Sequence, residues 1–256
     1  VQHRLLPIDQ LHALLVPLKL TEAELEKEAY PLYKNNNFRV VKIAETQYTQ
    51  NKKVFLKDYD LERTCSRCNK EFRLKPDGSM VREKDICRYH NRGVANNGKR
   101  DTFRKLYNCC NEEYNKAPGC KFSDVHVFDQ LFERELTHFI ATPPPLSPTD
   151  SRTVQAYAID CEMVYTVSGP ALARLSMVDM QGKMVLDVFI KPPNEVLDPN
   201  TEFSGLTMEQ VQNAQDTMQS CHAKLFKFVN SETILIGHSL ESDLKAMRLV
   251  HKSVVD

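Results

Sequence analysis

The chain has 256 residues, 41% of them hydrophobic, and 34 Lys plus Arg against 34 Asp plus Glu. That length suits two domains, since domains commonly run about 100 to 150 residues, and the balanced charge carries no information about partners. No apolar run reaches membrane length and no signal-peptide pattern is present, so nothing in the sequence points to secretion or a bilayer. The chain starts at Val1 without methionine and stops at Asp256, as a piece of a longer protein would.

Apolar residues at near-helical spacing predict a helix over 8–20, and Thr21-Glu22-Ala23-Glu24 is a capping box opening a second helix that ends near Tyr30-Pro31. Asn35-Asn36-Asn37 marks a turn and 38–43 a short strand. From Asn51 to Tyr107 there are sixteen basic residues against eight acidic ones. Such a locally basic face is either a contact surface for a polyanion or a solvated stripe.

Six of the eight cysteines fall between Cys65 and Cys120, in pairs with histidines nearby, which argues for metal in a reducing compartment rather than disulfides. Cys65-Ser66-Arg67-Cys68 and Cys87-Arg88-Tyr89-His90 supply one tetrahedral set of the kind a structural Zn²⁺ takes. Cys109, Cys110, Cys120 and His126 offer four further ligands, so two zinc ions fit, or one ion with bystander residues; redox-active or simply buried cysteines are the alternative. The basic residues around a closed site, namely Arg63, Arg67, Lys70, Arg73, Arg88, Arg92, Lys99 and Arg100, are then candidate contacts to a polyanion.

Residues 128–140 read as a helix. Pro143, Pro144, Pro145 and Pro148 then form a stiff extended linker. The expected organisation is a helical segment over 1–60, a Cys/His-rich module over 61–140, the linker over 141–152 and a catalytic domain over 153–256. Within the last, strands are predicted at 154–164, 172–180 and 184–190. The turn at Asp179-Met180-Gln181-Gly182-Lys183 makes them antiparallel. Thr207-Met208-Glu209-Gln210 is another capping box, followed by a helix around 221–229 and a buried strand at Ile234-Leu235-Ile236.

The chemistry concentrates in two stretches. Ala156-Tyr157-Ala158-Ile159-Asp160-Cys161-Glu162-Met163 is an apolar strand ending in two carboxylates two residues apart, hence on one face and able to share a hard divalent cation with room left for a phosphate. In Gly237-His238-Ser239-Leu240-Glu241-Ser242-Asp243-Leu244 a turn leads into a helix capped by Ser239 or Ser242, with Asp243 in its first turn. Cys161 points to the opposite side of its strand, and Cys221 falls in a helix; both read as small buried residues.

These two motifs resemble the DEDD superfamily of 3′-to-5′ exonucleases, in the eukaryotic branch typified by the RNA exonuclease 1 homologue. The likeness spans roughly 156–256 and weakens in the cysteine-rich part. It implies an α/β, ribonuclease-H-like mixed sheet with helices, incomplete at the C-terminus, behind a helical and zinc-binding module. It implies two Mg²⁺ or Mn²⁺ ions held by Asp160, Glu162 and Asp243, with Met163, Gly205, Leu206 and Thr207 beside the terminal nucleotide; as plain turn and cap, the last three need no function. The substrate implied is the 3′ end of single-stranded RNA, hydrolysed to nucleoside monophosphates during RNA processing or decay in the nucleus. The Cys/His pattern also loosely resembles CHORD modules.

The resembled family completes its site with a histidine base and a fourth acid in an H-x4-D pattern. His251 and Asp256 have that spacing, but His251 is expected to close the helix that Asp243 opens, about 12 Å away. The last motif is therefore expected to be absent, with Val254-Val255-Asp256 starting another strand. Two readings follow: an exonuclease lacking its final motif, or a degenerate nuclease domain retained as a zinc-stabilised RNA-binding or scaffold protein. Apolar surface along 234–236 and 244–249 is expected to be partly exposed, with poor solubility as the result.

Overall fold

Apolar and polar side chains alternate through 156–179, and in the computed structural model this stretch forms the two long central strands of a mixed sheet. Residues 7–34, 37–44, 55–95, 105–114, 116 and 118–256 are described; Asn35 and Asn36 of the expected turn, and Lys99 and Arg100 of the basic stretch, lie outside them. The main strands are β1 (Ala156–Thr166), β2 (Gly169–Asp179), β3 (Met184–Phe189), β4 (Ile234–Ile236) and β5 (Val254–Val255), in spatial order β3-β2-β1-β4-β5. β1, β2 and β3 run antiparallel, whereas β4 pairs parallel to β1 and β5 parallel to β4. This is the ribonuclease-H-like α/β order expected from the sequence. The β2–β3 turn needs a left-handed residue, supplied by Gly182 at φ +78°, while Asp179 Oδ1 accepts the amides of Gln181 and Lys183.

Several local expectations need correction. The first helix stops at Leu15 and tightens into a 3₁₀ turn over Val16–Leu18, because Pro17 cannot continue the α-helical hydrogen bonding. Residues 128–140 are not a helix. Leu131–Phe132 pairs parallel with Phe55–Leu56, Glu133–Thr137 is a 3₁₀ turn, and Ile140–Ala141 pairs parallel with Leu249–Val250. Phe128 and Phe132 pack with Leu56, and Phe139 packs with Val41 and Val250, so pairing with strands distant in sequence takes the place of the helix. The proline segment is strapped down at its N-terminal end, by Ser231 N donating to Pro143 O at 2.8 Å and by Thr142 N donating to Val250 O at 3.1 Å.

The expected exposure of 234–236 and 244–249 is also overturned. Leu235, Leu244, Met247 and Leu249 are fully buried, in one core with Leu25 and Tyr30 of the N-terminal segment. The Thr21 capping box forms as expected, its helix spanning Glu22–Lys27, and Leu20 N donates to Val254 O at 2.9 Å on the outer side of β5. The N-terminal segment thus covers the apolar face that sequence reasoning left bare.

The same segment reaches the acid-bearing helix, Leu240–Ala246. Neither Ser239 nor Ser242 caps it through a side chain; Ser239 adopts a left-handed backbone at φ 53°. Asp256 takes the role instead, accepting Ser239 N and Leu240 N at 2.9 Å each, and it also accepts the Tyr30 hydroxyl at 2.6 Å. Burial, then the Asp256 carboxylate, pushes the Tyr30 phenol far above its ordinary pKa, so it stays a donor. Tyr30→Phe is expected to lower stability by about 1–2 kcal/mol and Asp256→Ala by about 1–3 kcal/mol, read as shifts of the urea midpoint. Unchanged midpoints in both variants would contradict this capping arrangement.

Candidate active site and metal-binding tetrads

The period of two along β1 buries Ile159 and Cys161 in the core and turns Asp160 and Glu162 to the other face, with Asp160 exposed and Glu162 half-buried. Asp243 sits in the first turn of the Leu240–Ala246 helix and is buried. Its Oδ1 accepts the backbone N–H of Cys161 at 2.8 Å, which fixes the helix's acid against the strand residue lying between the other two acids. Sequence reasoning on Asp160, Glu162 and Asp243 therefore converges in one place. Their oxygens do not all crowd within 4.8 Å of one another, as the donors of a closed single-ion set do among the described residues.

The electrostatics are those of carboxylates held together at a cost. Burial, then the charge of Asp160, raises the Glu162 carboxyl to about 6; Arg174 lies opposite Glu162 on β2 and pulls the other way. Burial raises Asp243 to about 6 as well, against the lowering effect of the Cys161 N–H. A hard divalent cation is the natural counter-charge for such an oxygen set.

Glu162 and Met163 line a cleft of about 1080 Å³ that also takes in Ser66, Phe203, Glu241, Lys245 and Asp256. Met163 sits at an irregularity of the β1–β2 register and is half-buried. Gly205, Leu206 and Thr207 are placed differently. Gly205 is the left-handed C-cap of the Thr201–Ser204 turn, Leu206 is 1% exposed in a core with Val164 and Val211, and Thr207 spends its hydroxyl on the cap of Met208–Asn213. Sequence reasoning missed Lys245, Phe203 and Asp256 as residues of this cleft. Lys245 carried a signal, since it lies four residues beyond Glu241 on the same helix face, and both line the cleft.

His251 does not close the helix, which stops at Ala246. It lies before β5 and is 1% exposed; its Nδ1 pairs with Thr142 Oγ1 at 2.9 Å, and its Nε2 donates to Thr233 O at 2.8 Å. Burial lowers it to about 4, so it is a neutral structural bridge between the proline segment and β4. β5 itself is the strand expected at Val254-Val255.

The Cys/His ligands form two tetrads, with one exchange relative to the sequence pairing. Cys65, Cys68, Cys87 and His126 converge, and His90 joins Cys109, Cys110 and Cys120. The reason is that Cys87-Arg88-Tyr89 is an extended strand, in which residues three apart point to opposite faces, so Cys87 and His90 cannot share an ion. Its antiparallel partner Lys121–Ser123 sets Cys87 opposite Ser123 and Tyr89 opposite Lys121, which brings Cys120 beside His90 and carries His126 toward Cys87. Donor separations are 3.7 Å for Cys65–Cys87, 3.5 Å for Cys68–His126, and 3.5 Å for Cys109–His90, Cys110–His90 and Cys120–Cys109. Ligands at about 2.3 Å from a tetrahedral ion stand about 3.7 Å apart, so both tetrads match the donor set and spacing of a closed thiolate–imidazole site. Cys65 is held below the ordinary thiol range by its hydrogen bond with Cys87, which is raised in turn.

The raised carboxyls make stability pH-dependent. Glu162 and Asp243 go from 4.5 and 3.8 to about 6 on folding, so the folded chain binds their protons more tightly. Stability is lost at these sites as pH rises from the unfolded values through about 6. Asp243→Asn keeps an oxygen for the Cys161 N–H and removes the Asp243 share of that loss, while the Glu162 share, set chiefly by burial and Asp160, remains. Without added divalent ions, urea unfolding is expected to show the variant gaining on the wild type by on the order of 2 kcal/mol between pH 4 and pH 7. A difference independent of pH would contradict the assigned strain.

No family model matches the chain. The chain is 67% identical over 256 residues to the putative RNA exonuclease pqe-1 of Caenorhabditis elegans, covering 100% of this chain and 16% of the relative. It is 38% identical over 194 residues to the human RNA exonuclease 1 homolog, covering 76% of this chain and 16% of the relative. It is 36% identical over 199 residues to RNA exonuclease 3 of Schizosaccharomyces pombe, covering 76% and 34%. The chain thus spans about a sixth to a third of the length of these relatives. By sequence, the chain belongs to the RNA exonuclease 1 homologue-like family of exonucleases, the branch that its two acidic motifs resemble.

Proposed function

We propose that the chain carries a metal-dependent 3′-to-5′ exonuclease site that hydrolyses the 3′-terminal phosphodiester of single-stranded RNA and releases nucleoside monophosphates, in nuclear RNA processing or decay. The observation that carries this reading is the meeting of Asp160, Glu162 and Asp243, from a strand and a helix, beside a cleft of about 1080 Å³. Relatives named RNA exonucleases support RNA as the substrate class.

Asp160, Glu162 and Asp243 would hold Mg²⁺ or Mn²⁺, which would supply activation of a water and neutralisation of charge on the leaving oxygen. Asp160, exposed on its strand, and Asp243, buried on its helix, would both serve as ligands. Glu162 orients the attacking water and the terminal nucleotide, and Arg174 opposite it limits how far its carboxyl is driven toward the neutral form. Met163 lies against the same cleft and packs the nucleotide. The two tetrads hold Zn²⁺ and are structural, since each has four protein ligands and no open position.

A second reading, an RNA-binding or scaffold module, is favoured by one observation: His251, whose spacing to Asp256 matches the histidine-acid motif, is sealed in the core by Thr142 and Thr233. The test is 5′-labelled single-stranded RNA with Mg²⁺ or Mn²⁺. Stepwise shortening from the 3′ end, abolished by Asp160→Asn, is the expected result; RNA that is bound and never shortened would overturn the enzymatic reading in favour of the second. The tetrads are tested separately. His90→Ala is expected to lower zinc from about two ions per chain to about one, leaving the Cys65 site loaded. Loss from the Cys65 site in that variant would restore the sequence pairing.

A further inference from the structure

A second cavity, of about 360 Å³, lies where the first Cys/His knuckle meets the catalytic sheet. The knuckle contributes Ser66 and Arg67, the strand of the second tetrad contributes Tyr89 and leads on to Asn91, and the catalytic part contributes Tyr165 of β1 and the turn carrying Glu202 and Phe203. Arg67 is the centrepiece. Its side chain is 8% exposed, its guanidinium lies over the rings of Tyr89 and Tyr165 at 5.0 and 5.2 Å, and its Nη2 donates to Asp198 at 2.8 Å.

Those contacts use only part of the polar capacity of the walls. Arg67 Nη1, Ser66 Oγ and Asn91 Oδ1 are buried and have no hydrogen-bond partner among the described residues. Buried polar atoms are rarely left unpaired, and three on one cavity mark a place where a ligand supplies the missing partners. The set is one donor, one acceptor and a hydroxyl that serves as either, with the Glu202 carboxylate beside Asn91 as a further acceptor. A flat ligand with a mixed donor and acceptor edge fits this set. Phe203 is 57% exposed at the rim and offers a ring face for stacking.

The cavity also communicates with the acidic site. Ser66, Tyr165, Asn200 and Phe203 line both it and the larger cleft. Tyr165 is three residues along β1 from Glu162, about 10 Å in an extended strand. A strand of RNA whose 3′ end lies at the acids therefore brings an upstream base to the cavity.

We infer that this cavity is a subsite for one unpaired nucleobase upstream of the 3′-terminal nucleotide, read by Arg67, Ser66 and Asn91 and stacked on Phe203, with guanine preferred. Guanine is the base that offers an oxygen acceptor to Arg67 while presenting adjacent N–H donors to Asn91 Oδ1 and Glu202. The inference rests on the exonuclease reading for the direction of the RNA strand. The Cys/His module then selects sequence as well as supporting the fold.

The test uses the full chain with Asp160→Asn to prevent hydrolysis, and fluorescence anisotropy with 5′-labelled oligouridines carrying a single guanosine at successive positions from the 3′ end. One upstream position is expected to tighten binding about 5- to 20-fold over uridine. Asn91→Ala and, independently, Glu202→Ala are expected to erase that gain while leaving oligouridine binding within about twofold, whereas Phe203→Ala, at a ring that also lines the larger cleft and stacks any base, is expected to weaken both RNAs. Zinc content and thermal melting confirm folding, and the exposed Glu202→Ala keeps the test decisive if Asn91→Ala is unstable. No guanosine preference at any position, or a preference untouched by Glu202→Ala, would overturn the subsite. Hydrolysis of an all-uridine RNA by the chain with Asp160 intact, a substrate with no guanine to place in the cavity, reports on the exonuclease reading alone; its failure leaves the anisotropy result to stand or fall by itself.

Discussion

The hydrogen bond from the Cys161 amide to Asp243 Oδ1 joins the two halves of the acidic site. Without it, the strand would present two carboxylates and the helix a third with no fixed relation between them. The bond forms because β1 is the centre of the sheet and its alternation turns the Cys161 side chain into the core, where the thiol is buried, while the neighbouring acids face outward. The arrangement costs folding energy, since Glu162 and Asp243 are both raised by burial and by the charge of Asp160. A site that is strained as a set of carboxylates and relieved by a cation is what metal-assisted hydrolysis needs.

The rest of the chain buttresses that geometry. Tyr30 from the N-terminal segment and Asp256 from the end of β5 hold the start of the helix that carries Asp243. Arg67 from the first tetrad's knuckle grips Asp198, close in sequence to the turn that carries Phe203. Three separate stretches of sequence therefore meet around one cleft, and the parts that precede β1 form one of its walls.

Much of this was legible in sequence because it depends on local period and spacing. Two acids two apart on a strand share a face, capping boxes at Thr21 and Thr207 start helices, and Asp179 to Lys183 turns a hairpin. What escaped depends on partners distant in sequence. Residues 128–140 break into strand pieces that pair with Phe55–Leu56 and Leu249–Val250, far away in sequence. The cap from Asp256 crosses sixteen residues to Leu240, and the Tyr30 bond to it crosses 226, so neither leaves a local signature. The exchange of His90 and His126 between tetrads was recoverable in principle, from reading Cys87-Arg88-Tyr89 as a strand rather than as half of a knuckle.

The central claim is that Asp160, Glu162 and Asp243 together make a divalent-cation site. Anomalous diffraction from crystals soaked in millimolar Mn²⁺ tests it most directly. The account predicts manganese peaks within coordination distance of Asp160 and Asp243 that vanish in Asp160→Asn. Crystals with manganese elsewhere on the surface and none at these carboxylates would contradict it.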